Sequence, residues 1–249
     1  MLFFLLVLKA HAQEPSSENK EKGCWSRISY SVTAGFNAGG LSPVPLPNNI
    51  RKIMSYDPMV NPSLGIEALY PLNERWSIGI NPRFDYKGMK VKDSVMYFHT
   101  LIQMGEGDER SSFEGDFTGI NYTESRNLYL SLPFFITFTP KEKWHYRLGG
   151  YAAFRIHSRF KGYVSDGYIR NGNSLGEKIN VTRADFDFSD KVRKVDCGIY
   201  AGVKRDLGNN FSVGLNLQWG LISAFPKSFT GIAFPMYNIY GQLAAGYGF

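Results

Sequence analysis

Nucleophilic chemistry in this chain would have to be built on His99, His145 or His157, the histidines that remain once the first dozen residues are set aside. His157 precedes Ser158, so a base and a hydroxyl adjoin, but activation of that kind also needs an acid to orient the imidazole, and none shares a motif with it. Strand alternation points His157 inward, puts His145 near a short turn, and leaves His99 in a long connection. Metal chemistry has less to work with. Zinc sites draw on His or Cys pairs at ligand spacing, and the two cysteines, Cys24 and Cys197, lie far apart. The stretch from Asp166 to Glu177 begins and ends on an acid, yet Tyr168 and Arg170 stand where a calcium loop would present oxygen. Glu106-Gly-Asp-Glu109 reads as a solvated acidic loop. No catalytic residue, cofactor or metal is expected, and the other charges must be explained by where the backbone puts them.

They fall on one side of a period-2 pattern, the mark of a strand between two different surroundings. From Arg27 to Asn37 the odd positions are polar or small, while the even positions read Ile28, Tyr30, Val32, Ala34 and Phe36. The pattern recurs in segments beginning near Ser63, Trp76, Leu128, Trp144, Val195, Phe211 and Asn238. It predicts eight antiparallel strands, each long enough to cross an outer membrane, which takes about 9 to 11 tilted residues. On the polar side lie Glu67, Arg83, Asp85, Arg147, Arg155, Asp196 and Lys204, padded by Asn81, Asn216, Gln218, Gln242 and several tyrosines. A barrel of about eight strands is just wide enough for side chains to fill, and buried charge is costly unless paired. These seven residues are therefore expected to form an internal salt-bridge and hydrogen-bond network. A narrow gated pore is the alternative.

The connections alternate in length. Pro71–Glu74, Thr139–Lys143 and Asp206–Asn210 are short, whereas residues 38–59, 88–123, 158–191 and 224–236 form long segments. Outer-membrane barrels show this asymmetry, with turns on the periplasmic side and loops outside. Trp25, Tyr70, Trp76, Phe138, Trp144, Phe211 and Phe249 cluster at the short-turn ends, where an aromatic girdle at one membrane interface is expected. The predicted fold is thus all-β: an eight-stranded antiparallel up-and-down transmembrane β-barrel of the bacterial outer membrane, with short periplasmic turns and long extracellular loops. Two loops carry patterned segments, Lys90–His99 and Lys178–Phe188, which are expected to continue the strands above the membrane as hairpins.

Residues 1–12 read as a signal peptide ending in the small-x-small pattern Ala10-His11-Ala12, residues 13–24 as a short polar leader, and residues 25–249 as the barrel domain. The charged residues before Cys24 argue against lipid attachment, and the strand positions of Cys24 and Cys197 argue against a disulfide. Apart from the first dozen residues there is no long apolar run, which excludes a polytopic helical membrane protein, and 15% aromatic content excludes a disordered one. The formal charge of +6 is spread thinly, without the basic stripe that nucleic-acid binding needs. A mean hydropathy of -0.24 remains compatible with a bilayer, since half of each strand faces a polar interior and the loops are hydrophilic.

The strand number resembles that of the small OmpA/OmpX-type barrels. In finer detail, Asn127-Leu-Tyr-Leu-Ser-Leu-Pro-Phe-Phe-Ile-Thr-Phe138, with Pro133 in its middle, and Leu148-Gly-Gly-Tyr-Ala152 are similar to the PorT-type outer-membrane barrels of the Bacteroidetes. That resemblance implies the fold and a link to secretion, but no residue of known chemistry. The loops are longer than barrel closure requires, and loops over a rigid scaffold commonly carry binding surfaces. The expected function is therefore a non-enzymatic interaction or structural component, and the resemblance implies an accessory of a secretion or outer-membrane assembly. Its partners would be outer-membrane lipid and a protein engaged by the extracellular loops or barrel wall. A lipid-modifying barrel enzyme, and a soluble lipocalin-like binder with the polarity reversed, are the remaining alternatives.

Overall fold

The computed structural model describes residues 27–104 and 111–249. Its twelve strands are β1 (Ser29–Pro43), β2 (Ile50–Asp57), β3 (Asn61–Pro71), β4 (Trp76–Ile80), β5 (Arg83–Met104), β6 (Ser111–Lys141), β7 (Trp144–His157), β8 (Phe160–Asn171), β9 (Lys178–Asp187), β10 (Val195–Gly208), β11 (Phe211–Gly220) and β12 (Met236–Gly248). The signal-peptide and leader assignments, Cys24, Trp25 and the Glu106–Glu109 acids lie outside the described residues.

Twelve strands stand where alternation predicts eight, for two physical reasons. Asn81 and Pro82 divide one expected strand into β4 and β5, because proline has no N–H to give a ladder. The neighbouring groups are still satisfied: the Asn81 N–H donates to the Pro133 carbonyl and the Pro82 carbonyl accepts from the Ile66 N–H, each at 3.0 Å. The other additions, β2, β8 and β9, arise inside segments expected to be loops. Both patterned loop segments are strand, Lys90–His99 within β5 and Lys178–Asp187 as β9.

The pairings run in a closed antiparallel circuit. β1 pairs with β12, β12 with β11, β11 with β10, β10 with β7 and β7 with β6. β6 then pairs with β4 and with the first part of β5, both of these pair with β3, and β3 returns to β1. Such a sheet has no edge, which is the condition for crossing a membrane with strands. Its outer face carries Phe36, Leu64, Ile66, Phe84, Phe134, Leu148, Phe154, Leu215 and Leu243, all more than half exposed. A continuous apolar surface of that kind requires lipid against it.

Along β5 the two faces exchange character. Outward residues pass from Phe84 and Tyr86 to Lys90 and Lys92, while inward residues pass from Arg83, Asp85 and Lys87 to Met89, Val91 and Val95. The same change occurs on β6, where inward Asn127 and Ser125 give way toward Phe117. Above this level the chain is folded as an ordinary water-soluble sheet. Strands β2, β5, β6, β8 and β9 lie side by side in it, and β9 returns to β5 through the pair Gln103 and Asp185. A bulge between Val95 and Phe98 shifts the inward parity, so that Thr100 and Ile102 become buried. They join Phe98, Phe117, Val164, Ile169, Val181 and Phe186 in a second, apolar core. Phe160 stacks there against Phe188 and meets Phe225 edge-on, with centroids 6.2 and 5.0 Å apart.

Because this core is separate from the barrel lumen, it should fail separately. Phe117 is fully buried, and Phe117→Ala should destabilise this second sheet by about 3 to 5 kcal/mol. Limited proteolysis should then cut within β5, β6, β8 or β9, while the barrel keeps its heat-modifiable mobility on gels.

Candidate functional site

The inward side chains of the barrel meet across the lumen. Glu67 on β3 accepts from Arg147 of β7 at 2.6 Å and lies 3.3 Å from Lys204 of β10. Next along the axis, Arg83 and Asp85 pair at 3.0 Å. Arg83 also donates to Gln242 at 2.9 Å, and Gln242 in turn accepts from Asn216 and donates to Ser63. Asp85 accepts further bonds from Asn37 and Gln218. Nearest the extracellular side, Asp196 of β10 accepts from Tyr151 at 2.9 Å and from Asn238 at 3.0 Å. These groups come from strands distant in sequence, and alternation turns them all inward.

Lys87 completes the outermost tier and was not among the expected residues. Its ammonium is 3.7 Å from Asp196 and is enclosed by the rings of Tyr151, Tyr129 and Tyr240, with centroids 4.8, 5.1 and 5.7 Å away. Ring faces stabilise a cation that water cannot reach. The signal was present in the sequence: Arg83 and Asp85 set an odd parity that Lys87 continues, but the expected strand stopped at Tyr86. Arg155 is placed differently from its six companions. It is only partly buried, and its guanidinium donates to the Ser189 carbonyl at 2.9 Å. The packing leaves a void of about 20 Å³ beside Glu67, Arg83 and Arg147, room for about one water molecule.

Six of the seven aromatic residues expected at the short-turn end, all but Trp25, which lies outside the described residues, are found at the short-turn ends of their strands. Trp76 pairs with Phe138 across β4 and β6, their rings 4.7 Å apart, and Phe211 packs on Tyr247 at 5.0 Å. Trp144 lies beneath Arg205, Tyr70 is at the end of β3, and Phe249 is 76% exposed just after β12.

The histidines sit in hydrogen-bonded clusters. His145 bridges Thr139 of β6, at 2.9 Å, and Asp206 of β10, at 2.7 Å, fastening three neighbouring strands at their short-turn ends. His99 contacts Asp116 at 2.9 Å and Glu114 at 3.4 Å. The nearby Ser174 hydroxyl donates to Asp116 rather than to the imidazole, so His99 does not activate it. His157 is exposed, not inward as alternation suggests, because the β6–β7 register shifts just before it. Among the described residues no group of three His, Cys, Asp or Glu side chains could hold a metal ion. Cys197 is a free thiol.

Above the lumen the sheet beyond the barrel surrounds a chamber of about 350 Å³, walled by β1, β2, β5, β6, β8, β9, β12 and the segment before β12. Sequence reasoning missed it, since it is assembled from residues read as loop. Leu41 and Pro43, within the long connection expected over residues 38–59, instead belong to β1 and line this space. One wall carries Asp93, 4% exposed, whose carboxylate accepts from Asn121 at 3.0 Å. Burial pushes the Asp93 carboxyl up to about 6, against the smaller opposing effect of the Asn121 bond.

Two consequences can be measured. Glu67→Ala leaves Arg147 buried without its acid, and should cost about 3 to 5 kcal/mol in urea unfolding from lipid vesicles. Folding favours protonated Asp93, since its carboxyl titrates higher in the native state than in the unfolded chain. The extracellular sheet should therefore gain stability as pH falls from 7.5 through 6 toward 4. Asp93→Asn should stabilise it by on the order of 2 kcal/mol at pH 7.5, and by nothing at pH 4. Hydrogen exchange of the β5 and β6 amides reports both.

Comparison with known proteins is consistent with this architecture. No characterised protein matches the chain by sequence. Similar solved structures include Ail, the attachment invasion locus protein of Yersinia pestis, in complex with the heparin analogue sucrose octasulfate. It shares 10% identity at a TM-score of 0.37, with 90% of this chain and 99% of that one covered. Neisserial surface protein A shares 12% identity at a TM-score of 0.31, covering 89% and 95%. Residues 11–226 match the family described as outer membrane protein beta-barrel domain. With most of its length matched, the chain belongs to that family and is a β-barrel protein of the bacterial outer membrane.

Proposed function

We propose that this protein is a non-enzymatic interaction component of the outer membrane: an eight-stave barrel, β4 and β5 forming one stave, that holds a structured extracellular sheet for a protein partner. The observation that carries the reading is the contrast between its two halves. Among the described residues the lumen is packed with paired charges and tyrosines, whereas the connections are built into an ordered sheet with a core of its own. Long connections folded this way cost chain length that closure of the barrel does not need. The aromatic residues at the short-turn end serve as the periplasmic girdle, and six of the seven inward charges, all but Arg155, serve with Lys87 as the plug. Residues 1–12 direct export. The similarity to PorT-type barrels supports a place in a secretion or outer-membrane assembly, with the partner engaged through the extracellular sheet or the barrel wall.

Affinity purification from crosslinked native outer membranes tests this. The wild-type protein should retain a stoichiometric protein partner. A variant with residues 90–122 and 161–187 each replaced by a short turn should lose it while keeping heat-modifiable mobility. The same partner on both forms would overturn the loop assignment, and no partner on either would leave a purely structural barrel. In planar bilayers the wild-type protein should give no conductance steps; stable openings would show that the lumen is a pore.

A further inference from the structure

The chamber above the lumen is not explained by a docking role for the sheet around it. Most of its wall is apolar, including Leu41, Met89, Phe98, Phe186, Ile232 and Met236. Leu46, Ile53 and Tyr56, each about half exposed, rim its mouth. Its volume of about 350 Å³ falls in the range of small-molecule sites, which are typically apolar with a few placed polar groups.

The polar groups here are one-sided. The Asn121 side-chain N–H2 is shared between Asp93 and Thr123, at 3.0 and 3.2 Å. The Asn121 oxygen is buried without a hydrogen-bond partner among the described residues, and Asn121 is 6% exposed. Asp93 forms no ion pair among the described residues, although a buried carboxylate is costly without a cation. The wall therefore presents one negatively charged acceptor, the Asp93 carboxylate, and no cationic side chain among the described residues that line it.

We propose that the chamber binds a small hydrophobic amine, its hydrocarbon part packed among Met89, Phe98 and Ile232 and its ammonium held by the Asp93 carboxylate. An ammonium supplies charge and several N–H donors at once. A hydroxyl supplies one donor and no charge, and a carboxylate ligand would be repelled. Among the described residues that line the chamber, Tyr56 on β2 is the other titratable one; its hydroxyl is engaged with the Gly39 carbonyl at 2.7 Å. No charged side chain from β1, β6, β8, β9 or β12 lines the space, so Asp93 alone sets the charge that a ligand meets.

The test uses the full mature chain in lipid nanodiscs, with 1-adamantanamine, 1-adamantanol and 1-adamantanecarboxylic acid as rigid probes of matched shape. Empty nanodiscs measure partition into lipid, and binding is followed by ligand-detected NMR. The amine should bind at least about tenfold more tightly than the alcohol, a difference of one hydrogen-bonded charge, and the acid should not bind. Between pH 7 and pH 5 the amine's affinity should fall roughly tenfold as Asp93 takes a proton. Asp93→Asn should remove the preference for amine over alcohol, and Ile53→Trp, which closes the mouth, should remove binding of both. Equal binding of amine and alcohol to the wild type would overturn the proposal, as would undiminished amine binding by Asp93→Asn, or no signal above empty nanodiscs. The wild-type comparison and its pH dependence decide the matter even if a variant does not fold. Heat-modifiable mobility of the wild type reports the barrel independently, so a negative binding result leaves the membrane reading standing.

Discussion

A peptide N–H or C=O left unpaired in hydrocarbon costs several kcal/mol, so a sheet that crosses a membrane must return to its own first strand. Here β1 meets β12 over Ser31–Pro43, and the circuit between them leaves no open edge at membrane depth. Closure then dictates the rest. A ring this small encloses a space that side chains can fill, and each strand that turns apolar residues to lipid must turn its alternate residues inward. The interior is polar because the exterior is taken. Glu67 with Arg147 and Lys204, Arg83 with Asp85, and Lys87 with Asp196 are the form that this polarity can tolerate, since each charge has an opposite within reach.

At Lys87 the rule reverses. Below it the solvent outside is lipid and the packing inside is polar; above it the outside is water and the inside becomes apolar, beginning with Met89. The strand parity does not change at this point, only the residue types that occupy it. Tyr129, Tyr151 and Tyr240 suit the junction because each offers an apolar body and a polar tip. Their rings surround the ammonium on the lumen side, while the extracellular core of Phe98, Phe117 and Phe160 builds above them.

Alternation exposed the membrane half of the fold because period 2 is strongest where lipid and a polar lumen face each other. It separated Phe84 from Arg83, and Ile66 from Glu67, on residue type alone. It could not see that Pro82 would interrupt a strand without opening the sheet, since that depends on Pro133 and Ile66 receiving and supplying the stray hydrogen bonds. It stopped short of Lys87 because Gly88 and the lysines that follow look like the start of a loop. The extracellular strands were legible only as patterned patches. Their core combines Leu41, Phe117, Val181 and Phe225, residues brought together by long-range pairing that local periodicity does not encode. The same limit explains His157: a register shift at the β6–β7 junction breaks the parity that would have placed it.

The chamber is a consequence of how the second sheet ends. The membrane ring closes along whole strands, but above it β9 reaches β5 through a single residue pair, Gln103 and Asp185. β2 joins the sheet through β5, leaving its other edge free. Water above the membrane can satisfy that edge, so the pressure for closure that governs the barrel is absent. A sheet curled to this degree can cover an apolar core without filling all the space beneath it. Asp93 lies where that space meets the inward parity inherited from Arg83, Asp85 and Lys87. In the lumen such a position holds a paired charge; in the chamber the corresponding cation has no counterpart on the wall.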